Sequence, residues 1–293
     1  MMVAMALLKR LFEGVALWLV CCTMMAACHR PAQPALNREG SGVVSAVPSA
    51  TEMLWAAGLG ASQVGRTQWC DYPGEVQSVQ VVGDGMTMDL ERVLSLNPRA
   101  VVATQAQEHA DWISFLRESG VRVLVLPDER LEDIPLSLRM LGRELNAPEA
   151  EVRAQRFESR LGELRGQPDP EFRPRMLVVV GHHPIFAAGP QSRMDELVRL
   201  AGGQNALPAG DWVQLDAEAL LQSNPDVIVD LFEGDLRQVW SEWSSLRAVS
   251  GGAFCHVNAD VISRPGPRIL EAVDLLAACL SELGATGAAE GTR

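Results

Sequence analysis

From residue 42 onward, short runs of β-branched residues alternate with stretches whose apolar positions recur every three or four residues. Val43, Val44, Ala46 and Val47 predict a buried strand, and residues 99–103 and 121–126 predict two more. Pro48 and Ser49 open a helix, with Ser49 as N-cap and Glu52 at the capping-box spacing. Residues 108–119 read as another helix, stopped by Gly120. Strands separated by helices imply right-handed βαβ units and parallel pairing. From residue 131 to about residue 166 the strand pattern vanishes. Leu136, Met140, Leu141 and Leu145 recur at helical spacing until Asn146-Ala147-Pro148 breaks the run. A second, densely charged helix then runs from Pro148 to Arg165 and carries Val152, Phe157, Leu161 and Leu164. The βα pattern restarts at Met176.

The second part of the chain repeats the first. Asp89, Glu91, Leu94, Asn97, Pro98 and Val101 align without gaps to Asp216, Glu218, Leu221, Asn224, Pro225 and Ile228, and identical residues fall at both ends of the motif. Each copy reads as a short helix opened by Asp, a turn made by Asn-Pro and a buried strand. Chance recurrence of helix, Asn-Pro and strand is the simpler alternative, and the ungapped identities weigh against it. The expected organisation is therefore an α/β fold of two lobes with parallel-type sheets. The first lobe spans 42–130, a helical connection 131–170, the second lobe 171–284 and a flexible tail 285–293. A cleft is expected between the lobes, where ligands sit beyond the carboxyl ends of strands.

The amino terminus adds an address. Lys9 and Arg10 precede an apolar run from Gly14 to Ala27, too short to span a bilayer comfortably and laid out as an export signal over residues 1–27. Met25-Ala26-Ala27-Cys28 has the form of a lipobox, so Cys28 is the expected lipid-bearing residue and residues 28–41 a polar tether. The protein is expected to be exported and held at a membrane, facing the periplasm or the cell exterior. In that oxidising setting Cys70, Cys255 and Cys279 allow one disulfide at most, and Cys255 with Cys279 is the pair nearest in sequence.

Composition then excludes whole classes. The 293 residues are 47% hydrophobic and 21% charged, enough for a large core, with a formal net charge of −12. So acidic a chain has no electrostatic footprint for nucleic acid. Lys9 is the sole lysine, so no phosphate loop ending in Gly-Lys-Ser/Thr exists in the body of the chain. His182 and His183 follow a strand directly and could bind a metal or sit axial to a haem iron, although neighbours in sequence rarely point at one ion. A metal-dependent hydrolase would need both, with an Asp, to converge. Asp71, Asp84 and Asp260 are conceivable acids and bases, but nothing in the sequence pairs them, and His109 reads as a solvated helix start. No catalytic residue and no resident metal or cofactor is expected. The predicted loops instead carry Trp69-Cys70-Asp71-Tyr72-Pro73, His183-Pro184-Ile185-Phe186, Trp212 and Asp260 to Arg264, a set suited to a flat apolar ligand. Core packing is the usual fate of any one such aromatic. Their clustering at the loops of one cleft favours contact with ligand.

Residues 44–52, 64–73 and 89–102, with Ser263-Arg264-Pro265-Gly266-Pro267-Arg268, resemble in order and spacing the iron-siderophore and cobalamin periplasmic-binding proteins of ABC importers. The likeness runs from about residue 43 to residue 283 and is greatest to the cobalamin-binding members. It implies two Rossmann-like lobes joined by a single long bridging helix, here Pro148 to Arg165, with little hinge motion and a corrinoid held edge-on between them. Carried over position by position, it implies that Trp69 is a cleft aromatic of the first lobe and that Phe186 and Trp212 are aromatics of the second. It implies that Asp260 and Arg264 contact the corrinoid's edge, and that Glu91 and Glu218 pair with Arg on the transporter. The implied partners are a permease and its ATPase, the membrane through lipid on Cys28, and a cobalamin-like corrinoid bound by a monomer. Haem or a ferric siderophore is the alternative ligand. The chain departs from the pattern at Gly85 and Thr104, where aromatic residues are expected, and at Ala201, where a Cys would pair with Cys279.

Overall fold

Strands β1 (Val43–Ser45), β2 (Gln63–Thr67), β3 (Val81–Gly83), β4 (Ala100–Thr104) and β5 (Val123–Leu126) form a sheet in the order β3-β2-β1-β4-β5. Every neighbouring pair in it is parallel. The strand order reverses between β1 and β4, and in such sheets the crevice opens at the carboxyl ends beside that switch point. This computed structural model describes residues 40–290. The export signal, Cys28 and the tether as far as residue 39 lie outside the described residues.

The second sheet contains β6 (Arg175–His182), β7 (Ile185–Ala188), β8 (Gln204–Asn205), β9 (Trp212–Leu215), β10 (Val227–Asp230) and β11 (Phe254–His256). Its order is β11-β10-β6-β7-β9, with β8 pairing to β6. It is mixed, not wholly parallel as expected: β7 runs antiparallel to both β6 and β9. The cause is the link between β6 and β7. His183 and Pro184 alone connect the paired residues His182 and Ile185, and two residues can close a hairpin but not a crossover.

The internal repeat folds as one unit twice. Asp89 Oδ1 accepts the Arg92 amide at 3.0 Å and caps the Leu90–Ser95 helix. Asp216 Oδ1 accepts the Ala219 amide at 2.8 Å and caps the Ala217–Ser223 helix. Asn97 (φ 43°) and Asn224 (φ 31°) then turn the chain in the left-handed region. The following Pro disfavours the right-handed helical conformation there, and Asn tolerates the left-handed one. Each turn feeds a buried strand, β4 or β10.

Ser49 is not the N-cap that its spacing suggested. The first helix runs Pro48–Ala56, Val47 is the cap residue without a side-chain bond, and Ser49 is buried in the first turn. Proline suits the first helical position because its missing N–H would be unpaired there anyway, and this moves the cap two residues back, from Ser49 to Val47. Glu52 is thereby freed from capping and is buried.

Between β5 and β6 the chain forms two helices, Asp133–Leu145 and Glu149–Arg165, joined at the left-handed Asn146. They weld the lobes. One contiguous buried cluster runs from Leu54 and Leu126 through Leu138, Leu141, Phe157 and Leu161 to Met176, Leu197 and Leu276. Separate clusters cover the outer face of each sheet, with Trp112 and Ile113 under the first and Leu177 and Trp240 under the second. The final helix spans Glu271–Glu290, so the tail expected from residue 285 continues the helix up to residue 290. No helix among the described residues is long and apolar enough to cross a membrane.

Of the three thiols, Cys255 on β11 and Cys279 on the last helix are bonded, and Cys70 is a buried free thiol. The bond closes a loop with a sequence separation of 24. A loop of that length constrains the unfolded chain by about 3 kcal/mol. The double change Cys255→Ser with Cys279→Ser is therefore expected to lower the unfolding free energy by about that amount in urea titration. A loss under about 1 kcal/mol would mean that the reduced, unfolded chain already holds helix and strand together.

Candidate functional site

The loops beyond the strands' carboxyl ends carry the exposed aromatic side chains Trp69, Tyr72 and Phe232. In the first lobe Trp69 lies two residues past β2, on a turn closed by the Cys70 amide to Thr67 O at 3.2 Å. Arg66 reaches under that turn and donates to Thr67 O at 3.0 Å, Cys70 O at 3.1 Å and Val79 O at 3.1 Å. The turn is held from inside, and Trp69 is left 60% exposed. Beside it, Asp84 Oδ1 accepts the amides of Met86 at 3.0 Å and Thr87 at 2.7 Å, so Asp84 shapes a turn and takes no part in an acid–base pair. Gly85 in this turn has φ +92°, and a Cβ there would come 3.2 Å from Ala46 O. A side chain at this position would be strained by the left-handed φ and tight against that oxygen. Thr104 is buried at the end of β4 and hydrogen-bonds Asp128, whose carboxyl is pushed above its ordinary range chiefly by burial.

In the second lobe Phe186 and Trp212 are on strands, not loops. Phe186 lies on β7 opposite Gln214, and Trp212 opens β9 opposite Ala188. Alternation puts Phe186, Ala188, Trp212 and Gln214 on one face, with the two aromatics as diagonal neighbours about 7–8 Å apart. Trp212 is 48% exposed. The loop reading failed because β7 and β9 are short edge-side strands with little hydrophobic alternation. At the end of β6, His182 Nε2 is 3.1 Å from Asp230 Oδ1. Asp230 is fully buried and also accepts from Trp240 Nε1 at 2.6 Å and from the Phe232 amide at 2.9 Å. His182 meets Phe232 and Trp240 edge to face. His183 and His109 are exposed. Among the described residues no group of three or more His, Cys, Asp and Glu is placed to hold a metal ion.

A charged seam joins the two lobes. Arg264, at the end of the Ala259–Ser263 helix, binds Asp71 through two contacts at 2.6 and 3.3 Å. It also reaches Asp260 at 2.7 Å and Glu52 at 3.4 Å. Arg268 grips Glu52 with both Nε (2.9 Å) and a terminal nitrogen (2.6 Å) and lies 3.5 Å over the Tyr72 ring. Arg193 donates to the carbonyls of Asp128 at 2.8 Å and Ser263 at 2.9 Å. The hydrogen bond from Arg264, reinforced by its charge, holds the Asp71 carboxyl below its ordinary range. Hydrogen bonds to Glu52 likewise raise Arg268. Asp71 and Asp260, unpaired on the sequence, thus share one guanidinium. Glu52 and Arg268 were missed as site residues, although two arginines four apart around Pro-Gly-Pro were visible. Gly266 lets the chain pass Glu52, since a Cβ there would lie 3.2 Å from its carboxylate.

Glu91 and Glu218 are exposed, each in the first turn of its capped helix. Those helices follow β3 and β9, so both first turns lie toward the strands' carboxyl ends. Glu218 accepts from Gln222 at 3.0 Å.

These features fit what comparison with known proteins finds. The family model for periplasmic binding protein matches residues 43–231. An uncharacterized ABC transporter substrate-binding lipoprotein of Bacillus subtilis, YvrC, is 31% identical over 255 residues, covering 83% of this chain and 80% of its own. The crystal structure of the periplasmic vitamin B12 binding protein BtuF of Vibrio cholerae superposes with a TM-score of 0.74 at 27% identity, over 83% of this chain and 98% of that one. A periplasmic haem-binding protein from Pseudomonas aeruginosa gives a TM-score of 0.72 at 25% identity, over 81% and 91%. With two α/β lobes welded by helices and a family match over most of its length, this chain belongs to the periplasmic binding protein family.

Proposed function

We propose that this protein is the substrate-binding component of an ABC importer, that it captures a cobalamin-like corrinoid between its lobes, and that it hands the ligand to a permease without catalysing a reaction. The observation that carries this reading is the exposure of Trp69 and Trp212, one in each lobe. Burying such rings is strongly favourable, and a flat macrocycle with apolar faces supplies the missing partner. The BtuF likeness supports the corrinoid, and the YvrC likeness supports export with lipid on Cys28. Asp260, Arg264 and Phe186 complete the proposed contacts. A second reading, haem, rests on His182: an imidazole whose one nitrogen is held by a buried carboxylate is oriented as iron-ligating histidines are.

Calorimetric titration with cyanocobalamin, haemin and a ferric siderophore, side by side, tests both. Cyanocobalamin is expected to bind, and Trp69→Ala and Trp212→Ala are each expected to weaken it by about 1–3 kcal/mol with folding intact. Unchanged affinity in both variants would remove the cleft from the ligand site.

A further inference from the structure

The seam between the lobes has an unequal surface. Two guanidinium groups, Arg264 and Arg268, meet three carboxylates, Glu52, Asp71 and Asp260, which leaves one net negative charge. The charges are also layered. The Arg264 side chain is 13% exposed, whereas those of Asp71 and Asp260 are 50% and 46% exposed. The cation therefore lies behind its carboxylates, and the cluster's open side consists of acceptor oxygens. Arg268 is committed to Glu52 and stacked on Tyr72. Arg193 is spent on backbone carbonyls from either side.

We infer that Asp71 sets the ligand class of the cleft: by covering Arg264 it favours uncharged tetrapyrroles with carboxamide edges and rejects those with carboxylate edges. This inference rests on the proposed binding of a tetrapyrrole between the lobes. A carboxamide donates N–H to the Asp71 and Asp260 oxygens and accepts from any guanidinium N–H left over. A propionate can only accept. It meets two carboxylates first, and it gains Arg264 only by displacing Asp71 from a two-point ion pair. Juxtaposed like charges are a strong means of excluding a wrong ligand. Asp71 acts here in two ways, by occupying Arg264 and by offering its own exposed oxygens to the carboxamide.

The test compares haemin, which carries two propionates, with cyanocobalamin, on the full chain and on Asp71→Asn and Asp71→Glu. The wild-type protein is expected to prefer cyanocobalamin. Asp71→Asn, which removes the competing negative charge without changing side-chain size, is expected to shift the ratio of the two affinities toward haemin by about tenfold or more. Asp71→Glu, which keeps the carboxylate, is expected to retain the wild-type ratio. A merely structural role for Asp71 would move both affinities together and leave their ratio where it was. A shift smaller than about tenfold in Asp71→Asn, or a wild-type preference for haemin, would overturn the inference and leave the tetrapyrrole reading standing. Binding of neither compound by the wild-type protein would overturn that reading itself, and the inference with it.

Discussion

Arg268→Ala is expected to lower the unfolding free energy by about 3–5 kcal/mol, the cost of stranding one partner of a buried ion pair. Glu52 has a side chain only 3% exposed, and its carboxylate rests on two short bonds from Arg268. Without them it keeps a single contact at 3.4 Å to Arg264, itself shared with Asp71 and Asp260. Desolvation of the carboxylate is then no longer offset. Replacing both partners, as in Glu52→Met with Arg268→Met, is expected to restore much of the loss, because apolar side chains of similar volume leave no buried charge. Urea unfolding midpoints of the two variants decide the matter. If Arg268→Ala costs under about 1 kcal/mol, Glu52 is not an uncompensated anion in the folded state and the seam contributes little to stability.

Changing Glu91 and Glu218 together to Ala is expected to abolish uptake while leaving ligand affinity unaltered. The local account of each residue is helix stabilisation, since a carboxylate in the first turn faces the positive end of the helix dipole, worth about 0.3–1 kcal/mol. That explains each glutamate singly. It does not explain why two lobes whose sheets have diverged, one wholly parallel and one mixed, both keep an exposed Glu at the same step of the same capped helix. Both first turns also lie toward the strands' carboxyl ends, the edge at which ligand is proposed to bind and leave. Two equivalent contacts suit a pseudo-two-fold protein docking on a two-fold permease, and exposed ion pairs set register and on-rate more than affinity. Transport by reconstituted permease and ATPase, measured beside calorimetry, separates the roles. Normal uptake by the double variant, or a loss of ligand affinity, would refute the docking role.

Much of the architecture was written locally. Asp89 and Asp216 cap the helices that their spacing predicted, at 3.0 and 2.8 Å. Asn97 and Asn224 take the left-handed turn that an Asn before a Pro allows. The break at Asn146 and the charged helix ending at Arg165 likewise follow from period and turn chemistry. In all of these the partners are a few residues apart, so the order of residue types was sufficient.

The charged seam was different in kind. Glu52 satisfied a capping-box spacing, yet its partner is Arg268, 216 residues away. Proline at the first helical position moved the cap to Val47, and the mutual placement of the lobes then supplied the guanidinium. Asp71 and Asp260 carried no sign of sharing Arg264. The tetrad of His182, Asp230, Phe232 and Trp240 forms only because parallel pairing sets Asp230 level with Val179, beside the end of β6. The choice of Cys255 and Cys279 over Cys70 also waited on the last helix lying against β11. The sequence by itself therefore determined the two Asp-capped helices, the repeated unit and the two-lobe plan, because short-range hydrogen bonds and hydrophobic period encode them. Only the tertiary structure decided which charges meet, which aromatics stay exposed and which thiols bond, because those depend on distances between elements far apart in the chain.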